Sequence, residues 1–256
     1  MCHYLASLQN GAFVSKYLIM PSILHIETST TVCSVVLSEN GKVVSERISL
    51  TGPSHASLLG VFVQEILQET NARPDAVAVS CGPGSYTGLR IGVSTAKGLC
   101  YGWNVPLIAV NTLQLLASTV ATETQTEENM LFCPMIDARR MEVFSAFYDK
   151  DLKLFREIAA DIVDENSYLD ILAGHKVLFF GNGADKCRSS ITHANAQFID
   201  DIQPKSINMI PLAEKAFAAG EFVDVAYFEP FYLKEFVATV PKNKVLNVEQ
   251  GTKKKA

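Results

Sequence analysis

The sequence predicts an α/β fold of two linked subdomains, each with a mixed sheet and flanking helices. Three observations carry this. Three strands precede any helix, strands and helices then alternate, and a second strand pair opens after the polar, acidic break at Thr122–Asn129. Of the 256 residues, 48% are hydrophobic and 19% charged, with 15 Gly and 10 Pro. That composition excludes a disordered chain, a collagen and a coiled coil, and the length suffices for a sizeable core.

Ile23–Thr28 and Thr31–Ser38 are β-branched and apolar, broken by small residues, and read as strands. Asn40-Gly41 is the strongest short hairpin signal, and Lys42–Leu50 follows as a third strand. Ser54 offers an N-cap to a helix running to about Thr70. Asp75–Cys81 is a buried strand ending in the turn Gly82-Pro83-Gly84-Ser85. A helix from Thr87 to about Tyr101, a strand at Val105–Val110 and a helix from about Thr112 complete the first half. The second half gives strands at Leu131–Asp137, Glu142–Tyr148, Val177–Phe180 and near Gln197–Ile199. Helices are expected near Glu165–Ala173, near Ala184–Ile191 and over Ile207–Ala219.

The order β-β-β-α-β-α-β-α fits an actin/Hsp70-like core, the ribonuclease H-like (ASKHA) scaffold that sugar kinases also use. A dehydrogenase-type nucleotide fold would place a helix directly after its first strand. No repeat of 20–50 residues is visible, and the sequence shows no duplication of one half in the other. The expected organisation is an N-terminal subdomain over 20–118, a C-terminal subdomain over 119–206, and a closing helix with a terminal signature over 207–233. The Lys-rich stretch 234–256 reads as a solvated tail. Residues 1–19 lack the charged start and apolar core of a signal peptide, and Met20-Pro21-Ser22 reads as a second start. Residues 1–19 are therefore expected to be a non-native or mis-assigned extension.

A net charge of −5 argues against a stand-alone nucleic-acid binder. The six cysteines are scattered with no CxxC pair, which suits a reducing compartment. No run approaches the ~18 apolar residues of a membrane span, so a cytoplasmic location away from membranes is expected. His3, His25, His55, His175 and His193 are isolated and form no metal motif. No GxSxG nucleophile elbow is present.

Two features invite a functional reading. The stretch Cys81-Gly82-Pro83-Gly84-Ser85-Tyr86-Thr87-Gly88-Leu89-Arg90-Ile91-Gly92 joins a strand to a helix N-terminus, where backbone N–H groups attract anions. With Glu27-Thr28-Ser29 at the first hairpin, residues Gly82, Gly84, Ser85 and Thr87 form a candidate phosphate or nucleotide loop. The alternative is a tight turn with an ordinary cap; a P-loop is excluded because no Gly-Lys-Ser/Thr follows. The second feature is apolar excess on the helix from Ser54. Leu58, Leu59, Phe62, Val63, Ile66 and Leu67 span about half its circumference at 100° per residue. A helix on one core needs a stripe little wider than ~100°. The surplus calls for a second contact, either a partner chain or another part of this one. Gly88, Gly92 and Ala96 form a smooth strip on the next helix. The candidate partner interface is accordingly Leu58, Leu59, Phe62, Val63, Ile66, Gly88, Gly92 and Ala96. Asp137, Arg139, Arg140 and Glu142 lie between two strands and read as a salt-bridged turn, with use at a cleft the minority reading.

Ile26-Glu27-Thr28-Ser29, the Cys81–Gly92 block, Asn104-Val105-Pro106 and Ile136-Asp137-Ala138-Arg139 together resemble the TsaB family. Pro230-Phe231-Tyr232-Leu233-Lys234 resembles its C-terminal signature, with Lys where Arg is common. The resemblance runs from Met20 to about Lys234. It implies a non-catalytic partner subunit of the bacterial transferase that makes threonylcarbamoyladenosine beside the anticodon of tRNAs reading A-starting codons. The catalytic paralogue, TsaD, carries a metal-binding HxxxH just after the strand that its Asn-Val-Pro segment opens. Here that stretch is Val110-Asn111-Thr112-Leu113-Gln114-Leu115-Leu116, without histidine. The resemblance therefore implies no metal or catalytic residue in this chain, a heterodimer with TsaD, and a further partner in the ATPase TsaE. ATP or ADP and the metal would belong to those partners, and tRNA would be met only through the complex. A homodimer can use the same surface when TsaD is absent. An ATP-dependent small-molecule kinase of the same fold is the alternative, and a protease reading finds no motif.

Overall fold

The computed structural model describes residues 21–50, 55–123 and 129–233. The expectations for residues 1–19, for the Ser54 cap and for the tail 234–256 lie outside the described residues. Five strands open the fold: β1 (Ser22–Glu27), β2 (Cys33–Glu39), β3 (Lys42–Ser49), β4 (Ala76–Gly82) and β5 (Leu107–Asn111), in the spatial order β3-β2-β1-β4-β5. The first three pair antiparallel, and β1, β4 and β5 run parallel. Asn40 and Gly41 both hold positive φ, 55° and 73°, the twist a two-residue hairpin turn needs. Helices α1 (His55–Thr70) and α2 (Tyr86–Trp103) cover one face. There Leu24, Ile26 and Val35 meet Leu59, Val63, Ile66, Val93 and Ala96. Asn104, at φ 56°, ends α2 in the left-handed conformation.

The second half repeats this plan. Strands β6 (Leu131–Asp137), β7 (Glu142–Tyr148), β8 (Leu154–Ile162), β9 (Val177–Phe180) and β10 (Ala196–Phe198) stand in the order β10-β9-β6-β7-β8. Again three strands pair antiparallel and two more run parallel to the first. Numbered within its half, each sheet reads 3-2-1-4-5. The duplication that the sequence conceals is thus plain in the topology, and it is the actin-like plan.

The helices of the second half have shrunk. The expected helix near Glu165–Ala173 is a single turn, α4 (Leu169–Leu172), and the one near Ala184–Ile191 is a 3-10 turn at Asp185–Cys187. Ile207–Ala219 divides into a 3-10 turn at Ser206–Met209 and α5 (Ile210–Ala219), which ends at Gly220 with φ 71°. Strand β8 has no counterpart in the sequence reading. It is an edge strand of mixed polarity, and Leu154, Phe155 and Ile162 are exposed.

Two helices tie the halves together. Helix α3 (Thr112–Glu123) leaves the first sheet yet places Leu113, Leu116, Ala117 and Val120 against Phe132, Ile136, Phe144 and Phe180 of the second. The boundary expected at 118/119 therefore falls inside α3. Conversely, Met209 and Ala213 pack on Ile23, Ala76, Ala78, Ile108 and Val110 of the first sheet. The chain then returns along the first half: Val223 N–H donates to the Leu107 carbonyl at 3.0 Å, and Phe231 N–H to the Cys81 carbonyl at 2.7 Å. Residues 222–233 form a strap over β5, α2 and the glycine-rich turn.

Candidate functional site

The strands β1 and β4 run side by side, so Glu27 and the Gly82 turn emerge at one end of the sheet. The structure thus brings Glu27, Thr28, Ser29, Gly82, Gly84, Ser85 and Thr87 together, as the motif suggests. The first three are buried. Glu27 Oε1 accepts from both the N–H and the hydroxyl of Ser29, each at 2.5 Å. The Ser29 carbonyl accepts from Ser85 N–H at 2.7 Å, and the Thr28 hydroxyl donates to the Gly88 carbonyl at 2.8 Å. The Ser85 hydroxyl accepts from Gly88 N–H at 3.3 Å, capping α2. These polar groups are spent on the chain's own loops.

The glycines show how close those loops lie. A methyl at Gly88 would overlap the Thr28 carbonyl oxygen, and one at Gly84 the Ser29 carbonyl oxygen. At Gly82, with φ +112°, a methyl would stand 2.6 Å from the Phe231 carbonyl oxygen of the strap. Glycine is required here by contact and conformation together. As the turn lies, the space a phosphate would use is filled by Ser29 and Phe231. The site is also unwelcoming to anions. Burial raises the Glu27 pKa, opposed by the Ser29 hydrogen bonds, and Glu27 Oε2 is buried without a partner. Burial likewise pushes the Cys81 thiol up to about 12, so it is no nucleophile.

Asn111 ends β5 and caps α3, accepting from Leu113 N–H at 2.9 Å and Gln114 N–H at 3.2 Å. Leu113, Leu115 and Leu116 are buried core residues, and the first turn of α3 carries no imidazole. Among the described residues no group of three or more His, Cys, Asp or Glu could hold a metal ion. His55, at the helix start, donates from Nε2 to the Val32 carbonyl at 3.0 Å and is a packing residue.

The candidate partner interface requires correction. Leu59, Val63, Ile66, Gly88, Gly92 and Ala96 are buried inside this chain, and Leu58 and Phe62 are half-buried against the same core. The apolar surplus of α1 has an internal cause: the helix lies against β2, β3 and α2 at once. Gly88 and Gly92 accommodate Thr28. The exposed ground on these two helices is instead their outward faces. There Val61 is 45% and Tyr101 86% exposed. Among the described residues, Gly60, Gly98 and Gly102 have nothing within 4 Å of where a side chain would begin. The signal for this face was present in the sequence. Helix α2 carries two small-residue strips four apart, Gly88/Gly92/Ala96 and Ser94/Gly98/Gly102. They lie about 120° apart round the helix at 100° per residue. Periodicity alone does not say which strip faces inward.

The Asp137–Glu142 turn is held by Lys186. Its ammonium donates to Asp137 Oδ1 and, at 2.7 Å each, to the carbonyls of Arg140 and Glu142. Asp137 Oδ1 also accepts from Arg139 N–H at 3.0 Å.

Comparison with known proteins places these features in a family. The family model described as "TsaD: tRNA N6-adenosine threonylcarbamoyltransferase" matches residues 42–241. The Escherichia coli protein named tRNA threonylcarbamoyladenosine biosynthesis protein TsaB is 31% identical over 228 residues, 84% of this chain and 96% of its own length. The Bacillus subtilis protein of that name is 29% identical over 71% of this chain and 76% of its own length. The solved structure of YeaZ from Pseudomonas aeruginosa superposes with a TM-score of 0.72 at 27% identity, covering 84% of this chain and 100% of that one.

Proposed function

The chain belongs to the TsaB family of tRNA threonylcarbamoyladenosine biosynthesis proteins, and from that premise we propose that it serves this tRNA modification as a non-catalytic subunit that pairs with TsaD. Its role in threonylcarbamoyladenosine biosynthesis is the family's. The observation that carries the partner reading is the outward face of α1 and α2. A helix interior tolerates glycine at a cost of about 1 kcal/mol relative to alanine. Gly60, Gly98 and Gly102 incur that cost with no contact among the described residues to require it. They leave shallow ground beside Val61 and Tyr101 on which the helices of another subunit can lie closely, as small residues permit wherever two helices approach.

The non-catalytic reading rests on the other end of the fold. The stretch Val110–Leu116 offers buried leucines in place of ligands. The glycine-rich turn is occupied by Ser29 and the strap. The same occupancy argues against the kinase alternative, which would need those backbone groups free for ATP. TsaE enters as a further partner and tRNA as a ligand of the assembly. The same α1/α2 face serves a homodimer when TsaD is absent. No described helix is long and apolar enough to cross a membrane, and the reaction's tRNA substrate argues for the cytoplasm.

Reconstitution tests the reading. TsaD, TsaE, the adenylate-forming synthase and unmodified tRNA should yield threonylcarbamoyladenosine only when this chain is added. Product formed at the same rate without it would refute the role.

A further inference from the structure

The internal duplication sets two equivalent loops side by side for comparison. After β1 the chain turns through Thr28–Thr30, all buried. After β6, at the matching place, it turns through Arg139 and Arg140, both exposed. These two arginines hold φ of +71° and +50°, a left-handed conformation that glycine or asparagine adopts more cheaply. Lys186 and Asp137 fix the turn, yet among the described residues neither guanidinium makes a hydrogen bond or an ion pair. A turn required only to reverse the chain would not need arginine at either position.

The strap places a second group at the same end of the molecule. Phe231 bonds to Cys81, and Leu233, two residues on, packs against the cluster of α3, β6 and β7 that also receives Ala138. Two residues span at most ~7 Å, so the strap joins the end of β4 to the core of the second half. Between those anchors Tyr232 meets Tyr86, ring centroids 4.9 Å apart. The Arg90 guanidinium lies 4.4 Å over the Tyr86 ring, and its Nε donates to the Tyr232 hydroxyl at 3.3 Å.

We propose that this bridged end is an RNA-contact surface of the chain, in which Arg139 and Arg140 meet phosphates and the Tyr86–Arg90–Tyr232 stack receives an unpaired base. The proposal rests on the reading of the chain as a subunit of a tRNA-modifying assembly. Arginines interleaved with aromatic rings suit a nucleic acid, whose phosphates and base faces use both. An acidic protein would match the arginines and leave the rings idle. The net charge of −5 does not oppose this, because the contact is made within a larger assembly and the cations are local.

The test is fluorescence anisotropy of a labelled, unmodified tRNA transcript with the complex of this chain and TsaD, across a salt series. Complex formation is followed in the same samples by light scattering. Arg139→Glu with Arg140→Glu should weaken binding at least tenfold near 0.1 M salt and lower the salt slope by roughly 1.4–1.8, since each phosphate contact contributes roughly 0.7–0.9. Arg139→Lys with Arg140→Lys should retain most of the affinity, and Tyr232→Leu should weaken binding with little change in slope. An intact complex of the double glutamate variant that binds the transcript with wild-type affinity and slope would overturn the proposal. So would one that keeps RNA binding but loses its ATPase partner, which would mark the surface as a protein contact. If no complex with TsaD forms, the subunit reading fails by itself. Equal binding of the transcript by the lone wild-type and double-variant chains at low salt then overturns the RNA surface too.

Discussion

The same substitution made twice on one helix should have opposite effects. Gly88→Ala introduces a methyl that would lie well inside the 3.0 Å that real Cβ atoms keep from the Thr28 carbonyl oxygen. That oxygen is backbone, on a loop tied down by Glu27 and Ser85, and it does not swing away. Helix α2 must back off by roughly 1 Å, and overpacking of this kind costs about 1–3 kcal/mol. The displacement also strains the buried hydrogen bond from the Thr28 hydroxyl to the Gly88 carbonyl at 2.8 Å, and the bond from Ser85 N–H to the Ser29 carbonyl at 2.7 Å. A buried group left unpaired costs about 1–3 kcal/mol. Against this stands the helix-propensity gain of alanine over glycine, about 1 kcal/mol. The net expectation for Gly88→Ala is a loss of about 1–5 kcal/mol. Gly98→Ala meets nothing within 4 Å, so only the propensity term acts, and stability should rise by up to about 1 kcal/mol. Chemical denaturation of the isolated chain measures both. At roughly 2–4 °C per kcal/mol for a protein of this size, the two midpoints should also separate clearly on heating. A Gly88→Ala protein as stable as wild type, or a destabilised Gly98→Ala, would refute the assignment of inward and outward strips.

Two buried groups govern the acid side of the stability curve, with opposite signs. His25 is buried beside the Ser38 hydroxyl at 2.8 Å, and burial pushes its pKa down from 6.5 to about 3. Stability from this group is complete above pH 6.5 and is lost as pH falls toward 3, by up to about 1.4 kcal/mol per pH unit. Glu27 has its pKa raised above 4.5 by burial, so its contribution is present at low pH and lost as pH rises through the raised value. Glu27→Gln removes that opposing slope. The variant should gain on wild type at pH 7 and lose stability more steeply between pH 6.5 and 4.5, as read by denaturation at a series of pH values; parallel curves would contradict the assignment. The filled glycine-rich turn predicts that calorimetry of the isolated chain with ATP and magnesium shows no tight binding. Saturable binding at micromolar ligand would reopen the kinase alternative.

The first half was largely legible in the sequence because its signals are local. Asn40-Gly41 specifies its own turn, and the strands β1, β4 and β5 are short apolar runs bounded by turns. The glycine-rich motif also announced where two loops meet. What the sequence did not disclose is what fills that meeting place. The hydrogen bond from Phe231 to Cys81 joins residues remote in the chain, and nothing local to either anticipates it. Helices α1 and α2 were found, but their inward and outward faces were confused, because α1 is apolar toward both the sheet and α2. In the second half, the residues after Gly181 carry some helical pattern, yet one turn forms and the rest is irregular. Tertiary packing against β9 and β6 decided that, not propensity. Strand β8 was missed because an edge strand that is half exposed needs no alternation.

The proposed pairing with TsaD is made through the outward α1/α2 face. The measurement is light-scattering chromatography of the wild type and of Val61→Asp, each alone and mixed with TsaD. Val61 is 45% exposed, so the carboxylate is hydrated in the free chain and its fold should be unchanged. In a helix–helix contact the same charge would be buried without a partner, which costs several kcal/mol. A heterodimer is expected with the wild type, and two separate, folded proteins with Val61→Asp. A Val61→Asp chain that pairs with TsaD as the wild type does would contradict it.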